Sequence, residues 1–326
     1  MTPTPAEVCS RETLKSDART TPPRRIRGST TAEDNAGPAG AVDDLQCPSA
    51  MELIVFDLDG TLLDRRGQLS PYTRDTLATL TRRGVAYTVA TGRTLHASRD
   101  LLRGHGFTLP QVYKNGVMIW NPANDAYSHR NYLSLEEVQH VLEAVLAQQV
   151  SPFIFTLEHG RRHGIYHPPL HNDMERRLAR EFSDRDGLRV LPAAQLPADA
   201  EITNISAIGV PASVAAIETV IRDEEHLIAY VGTSWEDEDW CWIDIHHVEA
   251  TKGGAIDILR EQLGLSRVVC FGDSANDLSM FARADEAYAP ANATPEVKAA
   301  ATEIIGHHDE DGIARFLRGR FLGYDS

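Results

Sequence analysis

Residues Leu53-Ile54-Val55-Phe56-Asp57-Leu58-Asp59-Gly60-Thr61 pass from four consecutive apolar side chains to a pair of carboxylates. The apolar run, rich in β-branched and aromatic residues, predicts a strand buried on both faces of a parallel sheet. Residues i and i+2 of a strand project to the same side, so Asp57 and Asp59 can reach one site at its C-terminal end. That end is where ligands bind in open α/β sheets. Two like charges held close together need a cation, and a hard oxygen site suits Mg²⁺. The stretch reads as a metal-assisted aspartyl nucleophile with an acid/base group beside it.

Working outward, Ser70-Pro71 opens a helix that runs to about Arg83, with Gly84 as its stop. Val85–Ala90 forms a second strand ending in Thr91-Gly92-Arg93, followed by a helix near 94–104 and a third short strand near 111–113. Asn115-Gly116 signals a hairpin into Val117–Trp120. This alternation predicts a Rossmann-like, doubly wound parallel sheet. At residue 134 the pattern changes. Ser134-Leu-Glu-Glu137 is a capping box ahead of a helix faced by Val138, Val141, Leu142 and Val145. Strands are expected at 153–156, 163–166, 202–209, 227–232 and 240–245, with a second helix carrying Val214, Ile217, Val220 and Ile221. The first pattern resumes with a helix over Gly253–Leu263 closed by Gly264. Strand Val268–Phe271 follows, then Gly272-Asp273-Ser-Ala-Asn276-Asp277, and Thr294-Pro295 starts a further helix. The expected division is therefore a core from 51–133 and 247–326, with an inserted α+β domain at 134–246.

Composition narrows the function. The formal net charge is −15, which argues against general nucleic-acid binding because phosphate contacts need clustered Lys and Arg. No apolar run approaches the roughly 20 residues of a membrane helix. The four cysteines (Cys9, Cys47, Cys241, Cys270) show no CxxC spacing, which points to a reducing, cytoplasmic compartment and makes Cys270 a small core residue. Residues 1–50 are rich in Thr, Pro, Ala, Arg and Asp, lack apolar periodicity, and are expected to be disordered. Met51 directly precedes the first strand and is the expected alternative translation start.

Four segments carry chemistry in order: Asp57-Leu-Asp59-Gly-Thr61, Thr91-Gly92-Arg93, Lys252-Gly253, and Gly272-Asp273-Ser-Ala-Asn276-Asp277. Their order and strand-end placement resemble the haloacid-dehalogenase (HAD) superfamily. The insertion between the second and third segments resembles the C2 cap of its Cof-type, class IIB phosphatases. Ala291-Asn292-Ala293 and Asp311-Gly312-Ile313 fit the same group. The resemblance implies that Asp57 attacks phosphorus to form an aspartyl-phosphate, and that Asp59 protonates the leaving oxygen and later deprotonates water. Thr91 and Gly92 would hydrogen-bond the transferring phosphoryl oxygens, and Lys252 would offset developing negative charge. Asp57, the Asp59 carbonyl and Asp273 would hold Mg²⁺. Asp277 would join them through water or orient Lys252, and Asn276 would contact phosphate. Lys114 and Ala291 depart from the family pattern, a difference bearing on substrate preference.

The implied activity is Mg²⁺-dependent hydrolysis of a small phosphorylated metabolite, such as a sugar phosphate, with no nucleic-acid or membrane partner. A phosphomutase and a non-catalytic metabolite-binding protein are the competing readings; the four intact motifs disfavour the second. Two further features read blandly. His246-His247 is expected to be structural or exposed, and Trp235-Glu-Asp-Glu-Asp-Trp240 a solvated hairpin turn. Substrate identity and oligomeric state are not encoded in any recognisable motif.

Overall fold

From Leu53 onward β1 (Glu52–Phe56) is closed to solvent, so both of its faces need cover, as the interior of a parallel sheet provides. In this computed structural model, which describes residues 51–158, 162–234 and 239–323, β1 leads to α1 (Pro71–Arg82), β2 (Ala86–Val89) and α2 (Leu95–Leu102). A meander of β3 (Gln111–Tyr113), β4 (Met118–Asn121) and β5 (Ala126–Arg130) follows. The insertion holds α3 (Leu135–Ala147), β6 (Phe153–Glu158), β7 (Arg162–His167), α4 (Asp173–Ser183), β8 (Leu188–Pro192), β9 (Ile202–Gly209), α5 (Pro211–Arg222), β10 (Leu227–Thr233) and β11 (Cys241–His247). The chain returns through α6 (Lys252–Leu263), β12 (Arg267–Phe271), α7 (Leu278–Phe281), β13 (Glu286–Pro290), α8 (Pro295–Ala300), β14 (Glu303–Ile305) and α9 (Gly312–Leu317).

Among the described residues the strands form three sheets. The first is parallel, in the order β14-β13-β12-β1-β2. The second, in the order β10-β11-β9-β6-β7-β8, is antiparallel except for the β7–β8 pair. The fold is an α/β core with an inserted α+β cap. Both helix starts expected beside Ser70 and Ser134 are present: Ser70 caps α1 and Ser134 forms the full capping box of α3. Gly264 closes α6 in a left-handed conformation.

The hairpin expected at Asn115-Gly116 is present: β3 pairs antiparallel with β4 in the third sheet. β3 also lies beside β2, joined by a parallel bridge between Ala90 and Val112 and by the Thr91 amide donating to Val112 O (3.0 Å), and the turn at Lys114–Gly116 folds β4 back onto it. Val220 falls off the apolar face of α5, at 36% exposure, whereas Val214, Ile217 and Ile221 are buried. Seven elements carry no expectation from the sequence: β5 in the meander, α4 and β8 in the cap, and α7, β13, β14 and α9 in the core. Residues 1–50 and the 235–238 part of the acidic turn lie outside the described residues.

Strand pleating divides the cap sheet. Ile205, Ile243 and Ile245 face α3 and α5 and share their apolar cluster. On the opposite face, Phe153, Phe155 and Ile165 pack against Ala179 and Phe182 of α4. Asn204, Ser206, Asp244 and His246 project from β9 and β11 on that same face, leaving it polar where α4 does not reach.

Candidate active site

Asp57 sits at the C-terminal end of β1, where its backbone amide still donates to Phe271 O of β12 (2.9 Å). The chain then makes one wide turn over Leu58–Leu62. Gly60 in that turn has φ +71°, and a Cβ there would collide with the Asp273 carboxylate, so only glycine lets the two loops meet. Asn292 Nδ2 donates to Gly60 O (2.8 Å) and pins the turn from the β13–α8 side. Asp311 accepts hydrogen bonds from the Ser70 and Thr73 hydroxyls (2.5 and 3.4 Å). Both late segments therefore brace the core.

Lys252 is the first residue of α6, whose N-cap is Thr251. A lysine at a helix N-terminus opposes the macrodipole. Here that cost is offset: its Nζ donates to Asp57 Oδ1 and to Asp277 Oδ1, each at 2.6 Å, with the side chain fully buried. Asp277 Oδ2 accepts from the backbone amides of Asp273 (2.9 Å) and Ser274 (3.0 Å). Both oxygens of Asp277 are thus engaged, which makes it the group that fixes Lys252 and shapes the loop. A Cβ on Gly272 would lie 2.5 Å from Asp277 Cβ, so this loop too is closed on its neighbour.

The electrostatics follow from burial. Burial pushes the Asp57 carboxyl well above the usual range, opposed by Lys252 and reinforced by Asp277 and Asp273. Burial and the Asp277 charge push Asp273 up to about 6. For Lys252, burial pulls down but Asp277 and Asp57 outweigh it, and the ammonium is held more firmly than usual. Three carboxylates thus share one lysine, and ligand oxygens from Asp57, Asp273 and Asp277 all lie within 4.8 Å of one another. Clustered hard oxygens carrying excess negative charge are a donor set that fits a divalent cation of the Mg²⁺ kind.

Asp59 goes elsewhere. Its carboxylate pairs with Arg93, Nε to Oδ2 at 2.7 Å and Nη2 to Oδ1 at 2.5 Å, and its side chain is 59% exposed. Any bond from Asp59 to an ion in the acidic cluster would come from its main chain. Thr91 is buried, and its Oγ1 accepts from the Arg93 amide (3.1 Å). Asn276 Nδ2 donates to Asn115 Oδ1 (3.0 Å), the same oxygen that a Cβ on Gly92 would approach to 3.2 Å. Asn115 accordingly ties the second and fourth motifs together. The Asn-Gly pair marks it in the sequence only as a turn former, and at φ +56° its backbone is left-handed, a conformation asparagine adopts more readily than most residues.

The core meets the cap at Lys114. Its backbone amide donates to Arg93 O (3.1 Å), its Nζ lies 3.7 Å from Asp244 Oδ1 of β11, and the same ammonium sits 4.5 Å over the Phe155 ring. Asp244 also accepts from Ser206 Oγ and from Asn204 Nδ2 (3.3 Å). A lone aspartate between Ile243 and Ile245 was the legible signal for this contact, and it passed unread. His246 is fully buried with its ring against Tyr230; burial, opposed by Asp244, brings it down to about 4 and keeps it neutral.

The sequence matches the family model of haloacid dehalogenase-like hydrolases over residues 54–317. The chain belongs to that family. Among characterised haloacid dehalogenase-like hydrolases it is 25% identical over 280 residues to the pyridoxal phosphate phosphatase YbhA of Escherichia coli (strain K12), covering 83% of this chain and 98% of that protein. It is 27% identical over 270 residues to the HMP-PP phosphatase of Enterobacter sp. (strain 638), covering 81% of this chain and 94% of that protein. A haloacid dehalogenase-like hydrolase from Bacteroides thetaiotaomicron shares the fold at TM-score 0.68 and 24% identity, over 83% of this chain and all of the other. Among the described residues no helix is long and apolar enough to cross a membrane.

Proposed function

We propose that this haloacid dehalogenase-like hydrolase is a Mg²⁺-dependent phosphatase of a small phosphorylated metabolite, working through an aspartyl-phosphate at Asp57. The observation that carries this reading is Lys252 held at 2.6 Å from both Asp57 and Asp277 beside a third carboxylate, Asp273. Asp57 Oδ1 is occupied by Lys252, which leaves Oδ2 to attack phosphorus. Thr91, Gly92, Asn276 and Lys252 orient the phosphoryl oxygens and absorb their growing charge. Asp59 parts from Arg93 and takes up a proton from solvent, gives that proton to the leaving oxygen, and as the carboxylate so formed takes one from the water that attacks the aspartyl-phosphate. Inorganic phosphate and free Asp57 result. Asp57, Asp273 and the Asp59 carbonyl would hold Mg²⁺, which when bound neutralises charge on the phosphoryl oxygens; Asp277 orients Lys252.

The proposed domain division is a core of 51–133 and 247–326 around a cap at 134–246 that covers the catalytic face and excludes water. Cys241 and Cys270 are free thiols, which fits the reducing cytoplasm as compartment. The relatives named above act on pyridoxal phosphate and HMP-PP, which favours a phosphorylated metabolite here as well.

The test is phosphate release from a panel of phosphorylated metabolites and p-nitrophenyl phosphate. Turnover with Mg²⁺ is expected to stop in EDTA, to return with added Mg²⁺, and to vanish in a folded Asp57→Asn variant. Full activity in chelator would remove the metal from the account, and an active Asp57→Asn protein would remove the nucleophile.

A further inference from the structure

We propose that Arg185, in the loop between α4 and β8 of the cap, binds a second anionic group of the substrate. The preferred substrate class would then be phosphorylated metabolites that also carry a carboxylate or another phosphate. This inference rests on the phosphatase reading above and adds to it the chemistry of the leaving group.

The loop reaches the catalytic side of the core. Two residues after Arg185, Gly187 lies so near α2 that a Cβ on it would come within 2.9 Å of His96 Nε2. His96 is the second residue of α2, whose N-cap Thr94 directly follows the Thr91-Gly92-Arg93 motif. Arg185 is partly buried there, and its electrostatic neighbours include Arg93, Lys114 and His96. Cations therefore converge from both sides of the core–cap seam.

Their counter-charges do not add up to neutrality. Arg93 is matched by Asp59, and Lys114 by Asp244. The Arg185 guanidinium makes no hydrogen bond or ion pair among the described residues. Asp184 and Asp186 flank it in the loop without a bond to its guanidinium, and Glu181, in the last turn of α4, is bonded to Arg177 (3.2 Å). Burial, together with the Arg93 charge and against Glu181, holds Arg185 below the usual arginine range, as expected for an uncompensated cation. The C-terminal end of α4 offers only a partial negative charge. Guanidinium is a planar fork suited to bidentate recognition of carboxylate or phosphate, and a substrate anion would supply the missing partner. Arg93 is influenced by both Asp57 and Asp59, whereas Arg185 is influenced by Arg93.

The test uses two matched substrate pairs with the full-length protein. 3-Phosphoglycerate against glycerol 3-phosphate varies a carboxylate, and fructose 1,6-bisphosphate against fructose 6-phosphate varies a phosphate. The wild-type protein is expected to favour the doubly anionic member of at least one pair by about tenfold or more in kcat/KM. In Arg185→Gln that preference should disappear through KM for the anionic member, with kcat altered less than twofold, and Arg185→Lys should restore part of it. No preference in either pair, or an equal loss on both members of a pair, would overturn the proposal. Equilibrium binding of the same pairs to Asp57→Asn protein, with and without Arg185→Gln, reads Arg185 even if turnover is absent. Binding that discriminates without hydrolysis would retain Arg185 and discard the phosphatase reading. Binding that does not discriminate would discard Arg185.

Discussion

The two buried lysines among the described residues sit in different electrostatic company. Lys252, in the core, has two carboxylates at 2.6 Å each. Lys114, at the seam with the cap, has one at 3.7 Å and an aromatic face at 4.5 Å. Burial acts on both in the same direction, yet the outcomes are opposite: Lys252 is held above the usual lysine range and Lys114 below it. Close double pairing overcomes desolvation, and one looser partner does not. The core is built to keep charge fixed for chemistry. The seam holds its lysine by one looser carboxylate and an aromatic face.

The contrast can be broken most forcefully at Lys252. Lys252→Met leaves Asp57 and Asp277 buried without their shared cation. Activity should fall by about a thousandfold or more, and stability by about 3–5 kcal/mol in urea unfolding. A variant of near wild-type stability would mean that the core pairing is not the tight one.

Lys114→Met should do less. Phe155 still packs against the methionine, and Asp244 keeps its bonds to Ser206 and Asn204. Stability should drop by about 1–2 kcal/mol, and the kinetic effect should appear as a KM increase of about tenfold or less. A collapse of kcat like that of Lys252→Met would erase the distinction between the two regions.

The smallest effect concerns Asp273. Its carboxyl, raised to about 6 by burial and the Asp277 charge, binds its proton more tightly folded than unfolded. Its stabilising contribution is therefore complete below about pH 4, the unfolded value, and is lost as pH rises toward 6. In metal-free protein the Tm difference between wild type and Asp273→Asn should shift against the wild type by about a few degrees across that window. If Mg²⁺ binds the acidic cluster as proposed, it should raise the wild-type Tm at neutral pH, since only the folded state brings those carboxylates together. A difference flat in pH would show that the acidic cluster carries no excess charge.

The same division governs what could be read from the sequence. The core was legible because its information is local. Apolar runs end in acids at Asp57 and Asp273, Ser70 and Ser134 mark helix starts, and Gly264 marks a stop. Helix α4 was missed because Asp-Met-Glu-Arg-Arg-Leu-Ala-Arg-Glu-Phe-Ser is mostly charged and fully buries only Glu175 and Ala179. Strand β5, Ala-Tyr-Ser-His-Arg, lacks the apolar alternation that signals a strand. The Asp59–Arg93, Asn115–Asn276 and Lys114–Asp244 contacts join residues 34, 161 and 130 positions apart. No short window contains both partners, and only the packing of core against cap brings the last pair together.

The central claim is that Asp57, and not Asp59, becomes phosphorylated during turnover. Enzyme supplied with Mg²⁺ and a good substrate, quenched in acid and treated with borohydride, would have any aspartyl-phosphate reduced to homoserine. Peptide mass spectrometry across residues 53–61 then locates it. The account predicts homoserine at 57 and unmodified aspartate at 59. Homoserine at 59, or turnover with no modified residue under conditions that trap acyl-phosphates, would contradict it.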